Sequence, residues 1–396
     1  MAEANATNET NCLELGAFGC VDPHLERYAI WYWGIHGYLS LIICAFGITT
    51  NALNIIILTR GAMRTPINCI LTAIAICDLL TMCSYIPFAS HFYIECGLEA
   101  TPKKYSYGWS TYMAVHSNIS STTHATSLWL AVFMAILRYV YLRTKKCCNI
   151  KQTSVICVFI SVSWCSMMVP HYTLTGVSPV IRNNETLYRL NDIAIGSNNP
   201  SKLAITSFWL IAVFGKLMPC TLISVFIGLL LKKLHESAAR RKRLFAHSDK
   251  GRNSSQRGGG GGRTARHQCT TTMLLVIIIL YIVCEIPQVF AIIMSAMSRQ
   301  FFQNVYFLIA DTLDMIALIN NAINFVLYCT MSQQFREHLL VVRACTGAGP
   351  QSARFNKKTY HSVEQSGVNT RTTNNHADNG LCVTGDTNVE KSVSQV

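Results

Sequence analysis

Seven stretches, each long enough to cross a bilayer and almost free of charge, dominate this chain. A helix needs about 20 mainly apolar residues to span the hydrocarbon. Tyr28 to Thr59, Tyr105 to Leu137 and Gln152 to Ile181 contain no Asp, Glu, Lys or Arg. Thr65 to Ile94 contains only Asp78, Leu203 to Leu231 only Lys216, and His267 to Ser298 only Glu285. Gln300 to Phe335 contains Asp311 and Asp314. In lipid the backbone must satisfy its own hydrogen bonds, so each stretch is expected to be a helix. Charged residues make up 13% of the chain, about half the share of a soluble domain. An ordinary soluble enzyme, a disordered chain and a fibrous repeat are excluded. The 17 cysteines are too scattered for a disulfide-rich secreted domain.

The basic residues set the orientation. Of 33 Lys and Arg, 24 fall in the loops and tail on one side and seven on the other, with Arg138 and Lys216 inside the spans. Positive charge stays cytoplasmic, so the N-terminus is expected outside. The excess is then a membrane-facing and partner-facing surface, with no nucleic acid as partner. The acidic N-terminal segment carries the sequons at Asn5 and Asn8, and a third at Asn184 falls in an outer loop. The expected fold is an all-α membrane protein, a seven-transmembrane helix bundle with a short amphipathic eighth helix. Its parts are an extracellular tail 1–27, a transmembrane domain 28–343 and a disordered cytoplasmic tail 344–396. The spans fall at about 28–59, 66–94, 106–142, 152–174, 203–232, 268–298 and 301–330, with the amphipathic helix at 332–343. Phe335, Leu339 and Leu340 of that last helix are expected to face lipid, and Cys345 is a candidate for palmitoylation. Arg240 to Arg243 form a basic cluster suited to lipid headgroups, and Gly258 to Gly262 read as a flexible linker.

A charge inside a span costs roughly 3 kcal/mol or more unless paired or hydrated. Asp78, Asn51, Ser127, Asn320, Asn321 and Asn324 form one polar set, which suits a monovalent cation or a network of waters. Lys216 and Glu285 form another. A direct ion pair between them is the simplest arrangement; Asp314 as the lysine's partner, or a shared water cavity, are the alternatives. His91, His116 and His124 have no metal-ligand spacing and read as satisfied polar packing.

The motifs fall on the spans in an order that resembles the class A (rhodopsin-like) G-protein-coupled receptors. Asn51 and Asp78 lie on the first two spans. Leu137-Arg138-Tyr139 stands where that family has Asp/Glu-Arg-Tyr. Trp164 and Pro219 match the fourth and fifth spans. Cys284-Glu-Ile-Pro287 matches Cys-Trp-x-Pro, and Asn324-Phe-Val-Leu-Tyr328 matches Asn-Pro-x-x-Tyr. The runs Pro66 to Pro87, Tyr107-Gly-Trp109, Glu285-Ile-Pro-Gln288 and Asn324 to Ser332 are similar to invertebrate myosuppressin and FMRFamide-peptide receptors, neighbours of the sex-peptide and myoinhibitory-peptide receptors.

The resemblance implies a receptor, not an enzyme, at the plasma membrane, with no cofactor beyond a sodium ion as modulator. Asp78, Ser127, Asn320 and Asn324 match the sodium pocket. Arg138, Tyr139, Asn324 and Tyr328 match the G-protein-coupling and activation positions. Leu137 replaces the acid that ordinarily restrains the arginine. The implied partners are an amidated neuropeptide, a heterotrimeric G protein of the Gi/o type, and arrestin and receptor kinases on the tail. A peptide ending in Arg-Phe-amide is cationic, and the ligand-contact candidates are Glu95, Tyr112, Lys216, Glu285, Asp311 and Asp314. The disulfide that usually ties helix three to the second outer loop has neither cysteine here; the outer cysteines are Cys12, Cys20 and Cys96. A receptor for another peptide class is the alternative. A retinal protein would need a lysine in the seventh stretch, and a transporter an internal repeat; the sequence has neither.

Overall fold

The computed structural model describes residues 22–144, 148–182, 184–191, 201–248, 276, 279–280, 282–295, 297–331 and 335–340. Asn5, Asn8, Cys12, Cys20 and Cys345 lie outside the described residues. Among the described residues, six helices are long and apolar enough to cross a membrane. They are α1 (Pro23–Leu58), α2 (Pro66–Glu95), α3 (Tyr107–Thr144), α4 (Ile150–Leu174), α5 (Lys202–Lys233) and α7 (Asn304–Thr330). Between the last two lies a shorter apolar helix, α6 (Ile282–Ser295).

Capping fixes where these helices begin. Asp22 accepts hydrogen bonds from the backbone N–H of His24 (2.8 Å) and Leu25 (3.3 Å), and Pro23 takes the first helical position. Helix α1 therefore starts at Pro23 rather than at residue 28, because an Asp–Pro start outweighs the charges of Glu26 and Arg27. Thr65 and Pro66 repeat the device at α2, where Thr65 Oγ1 accepts from Asn68 N at 3.2 Å. Among the described residues, three π-turns interrupt the bundle, at Ser90–Glu95, Ile211–Leu217 and Phe302–Tyr306. The first follows Pro87 and the second precedes Pro219. Each π-turn adds a residue and turns the following face by about 100°.

Packing replaces hydrophobic driving force in lipid, and close approach matters most. A Cβ on Gly37 would sit 2.7 Å from Tyr93 Cβ, and one on Gly215 would sit 3.0 Å from the Trp164 ring. Near the helix ends opposite the hairpin described below, Ile57, Ile70, Leu128, Met134, Ile223 and Tyr328 form a buried core. Val155, Val158, Phe159 and Val162 of α4 are exposed and form a lipid-facing stripe.

Two further features differ from the sequence reading. Residues 335–340 are helical, but Phe335 is fully buried against Phe325 (5.7 Å) and Tyr328 (5.3 Å) instead of facing lipid. The large side chain at 325, where the family has proline, gives it an aromatic partner. The loop after α4 also forms an antiparallel hairpin, β1 (Val177–Arg182) with β2 (Glu185–Leu190). Asn184 lies at its tip with φ 62°, a conformation asparagine tolerates well.

Candidate functional site

The charged residues of α5 and α6 meet in one network. Lys216 lies in the π-turn of α5 and donates from Nζ to Glu285 Oε2 at 3.0 Å and to Gln288 Oε1 at 2.6 Å. Glu285 is 1% exposed. Its second oxygen lies 2.9 Å from His124 Nε2 of α3, a close contact whose alignment falls short of a hydrogen bond. Gln288 then donates from Nε2 to the Leu313 carbonyl of α7 at 3.0 Å. The chain His124, Glu285, Lys216, Gln288, Leu313 thus joins four helices. Of the three arrangements open from sequence, the direct pair is the one found. His124 and Gln288 were not among the candidate contacts. Gln288 carried a signal, since it lies one turn from Glu285 on the same helical face. His124 carried a weaker one, as a titratable ring inside a span.

Asp314 is not the lysine's partner. It shares a face of α7 with Leu318 and Asn321, both buried, and lies about 140° around the helix from Ile319, which is exposed to lipid. Asp314 is nevertheless exposed, so that face opens onto a solvent-accessible vestibule within the bundle. The charges acting on it are Asp311, one turn before, and Lys216. Asp311 faces Tyr93, Trp33 and His36 between α1, α2 and α7. His36 reaches Tyr85 Oη at 2.9 Å and Tyr32 Oη at 3.3 Å, so the carboxylates stand beside an aromatic wall.

The other outer candidates are already engaged. Tyr112 Oη donates to the Ser84 carbonyl at 2.8 Å. Glu95 lies 2.7 Å from Lys103 and 3.0 Å from His91, whose ring stacks on Trp109 at 3.8 Å. The hydrogen bond to Glu95 holds the Lys103 ammonium above the ordinary lysine range, while burial lowers that of Lys104. Cys96 keeps a free thiol, 3.6 Å from His91 Nε2.

Deeper in the bundle, Asp78 accepts from Asn324 Nδ2 at 3.2 Å, and Asn51 donates to the Asn321 carbonyl at 3.1 Å. Ser127 Oγ, Asn51 Oδ1 and Asn320 Nδ2 are buried without a hydrogen-bond partner. Carboxylate, hydroxyl and amide oxygens are the donor set of a hard monovalent cation; Ser127 Oγ and Asn51 Oδ1 suit a cation or water, whereas Asn320 Nδ2, as an N–H donor, suits water. Beside them, Asn51, Asn54, Asn324 and Tyr328 line a cavity of about 10 Å³, at the lower limit for one water. Both side-chain polar atoms of Asn54 are unpartnered there. Leu137 is buried and Arg138 half-buried toward the C-terminal end of α3, and Tyr139 meets Phe226 of α5 edge-on at 5.9 Å.

The family model described as serpentine type 7TM GPCR chemoreceptor Srw matches residues 38–346. The chain is a rhodopsin-like G-protein-coupled receptor of the Srw family. Among this receptor's relatives is G-protein coupled receptor dmsr-1 of Caenorhabditis elegans. It is 30% identical over 349 residues, which cover 77% of this chain and 67% of the relative. The sex peptide receptor of Drosophila melanogaster is 24% identical over 76% of this chain and 71% of its own length. The FMRFamide receptor of the same species is 21% identical over 81% of this chain and 56% of its own. The crystal structure of squid rhodopsin superposes with a TM-score of 0.56 at 13% identity, covering 86% of this chain and 95% of that one, and shows the shared fold.

This receptor ties its hairpin to α3 through hydrogen bonds, the sequence lacking both cysteines of the disulfide usual in the family it resembles. Tyr188 N donates to the Tyr105 carbonyl at 2.8 Å, and Ser110 Oγ donates to the Tyr188 carbonyl at 2.6 Å. Tyr107 packs edge-on against Tyr188, and Leu187 is buried. Ser110→Ala removes one of these bonds, worth about 1 kcal/mol. Amide exchange across residues 185–190 is expected to quicken severalfold while the melting of the bundle hardly moves. Equal exchange in parent and variant would show that Ser110 is no tether.

Proposed function

We propose that this receptor is activated by a cationic, amidated peptide ending in Arg-Phe-amide. The single observation that carries the reading is Asp314, a carboxylate exposed on the inner face of α7 and not claimed by the bundle's lysine. A guanidinium pairs with a carboxylate through two parallel bonds, and the half-buried Tyr93, backed by the buried Tyr32 and Tyr85, offers a place for the phenylalanine ring. One relative is named for FMRFamide. Another is named for sex peptide, which favours a peptide of a different class as the second reading.

The receptor sits in the plasma membrane with its N-terminus outside, as the basic residues argue. Asn184, exposed at the hairpin tip, would carry a glycan on that side. On the inner side, Arg138 and Tyr139 meet a G protein of the Gi/o type, Asn324 and Tyr328 move on activation, and the tail meets kinases and arrestin. Asp78, Ser127, Asn320 and Asn324 hold a sodium ion in the resting state. The deciding experiment is G-protein activation in cells against a panel of Arg-Phe-amide, myoinhibitory and sex peptides. A nanomolar response to an Arg-Phe-amide peptide is expected; a response confined to the other classes gives the second reading. Leu137 gives Arg138 no acidic neighbour in sequence, so basal signalling is expected to be high. Leu137→Asp should lower it about threefold to tenfold, on the scale of one charged hydrogen bond, and an unaltered basal level would count against the weakened restraint.

A further inference from the structure

We infer that Gln288 is the latch through which a cation seated at Asp314 releases the Lys216–Glu285 pair. The inference rests on the reading that the peptide's cation docks at Asp314. Gln288 is 8% exposed and spends both ends of its amide on two different helices. Its oxygen accepts from Lys216 of α5 at 2.6 Å, and its nitrogen donates to the Leu313 carbonyl of α7 at 3.0 Å. That carbonyl belongs to the peptide unit joining Leu313 to Asp314, the residue whose side chain opens on the vestibule.

The geometry makes this amide the direct link between the vestibule carboxylate and the buried pair. A helix-interior carbonyl has a second lone pair to offer, and Gln288 takes it. The bond holds one turn of α7 against α6 while Lys216 is clamped between Gln288 and Glu285. A cation drawn to Asp314 acts on this turn and also repels Lys216, whose charge Asp314 already feels. Both effects strain the same amide. The bond to Leu313 is the neutral and longer of the two, so it gives way first. Once α7 is released, Lys216 and Glu285 are free to rearrange between α3, α5 and α6.

Two substitutions separate the bonds. Gln288→Glu keeps an acceptor for Lys216 but, as a carboxylate, cannot donate to the Leu313 carbonyl. Gln288→Met loses both bonds with little change of volume. The readout is basal GTPγS loading of membranes, without added peptide, normalised to receptors counted at the cell surface. Both variants are expected to load at least about threefold more than the parent, the scale of one lost hydrogen bond, and Phe-Met-Arg-Phe-amide should add less stimulation to them. Either variant that reaches the surface decides the matter, and parent-like or lower loading in Gln288→Glu overturns the latch. Asp314→Asn distinguishes the two ideas. If Phe-Met-Arg-Phe-amide is as potent on Asp314→Asn as on the parent, the docking reading fails, whereas the latch between α6 and α7 stands or falls on basal loading alone.

Discussion

Glu285→Leu alone is expected to cost the receptor about 3–5 kcal/mol of stability, and Lys216→Met in the same chain to return most of it. The single change leaves the Lys216 ammonium with Gln288 Oε1 as its remaining partner, in a site where the lysine side chain is 13% exposed. One amide oxygen does not offset the desolvation of a charge. Removing both charges leaves two apolar side chains of similar volume, and such replacements are often neutral. Surface density and the temperature of half-inactivation of detergent-solubilised receptor report the effect. The double variant is expected within about 1 kcal/mol of the parent, a coupling far outside the additivity of independent sites. It should also be blind to agonist, because a pair that is absent cannot rearrange. Losses that simply add would mean that the two residues do not share their energy, and a role for their rearrangement in activation would fall with them.

This pair also marks the limit of what the sequence discloses. Charge-free runs place the seven spans because lipid forbids irregular backbone, and that constraint acts on every residue of each run. Lys216 and Glu285 stand out for the same reason, each being the one charge in its span. Which acid faces the lysine is another matter. The π-turn at Ile211–Leu217 rotates Lys216 by about 100° relative to the helix before it. Nothing in the run Ile211 to Leu217 announces that extra residue except Pro219 downstream. An ideal helix leaves Asp314, Glu285 and a water cavity equally open, and the π-turn chooses Glu285 with Gln288.

The remaining differences have similar local causes. Helix α1 gains a turn because Asp22 and Pro23 form a start that a search for uncharged residues passes over. The hairpin escapes notice because neither Val177–Arg182 nor Glu185–Leu190 alternates apolar with polar residues, and Asn-Asn in the sequence between them is the sole turn signal. Glu95 reads as a free acid in sequence, but His91 reaches it from one turn earlier on the same helix and Lys103 folds back onto it across a loop of few residues. The inner motifs were legible because their residue types are unusual in lipid: Asp78 and Asn324 meet at 3.2 Å. Asn54 was passed over beside them, although its amide adds two unpartnered atoms to the same cavity.

Asp314→Asn is expected to shift the half-maximal concentration of an Arg-Phe-amide peptide upward by about 10-fold to 150-fold, and Asp314→Lys by more. The range is that of a charge-assisted hydrogen bond, about 1.5–3 kcal/mol at 1.4 kcal/mol per decade. Folding should tolerate the neutral change, since Asp314 is exposed in the vestibule and the substitution removes a like charge one turn from Asp311. Surface density therefore stays near the parent's and the shift reads as binding. Asp311→Asn provides the contrast. Asp311 is less open and faces Tyr93, Trp33 and His36, so its loss is expected to cost surface density more than potency. The decisive measurement pairs receptor and ligand. A peptide with citrulline in place of arginine keeps its shape and loses its charge, so it should be weaker on the parent by the same factor as Asp314→Asn. On Asp314→Asn itself, citrulline and arginine peptides should be nearly equipotent, because the interaction each change removes is the same one. Two penalties that multiply would place the arginine elsewhere in the vestibule and remove Asp314 from the ligand site.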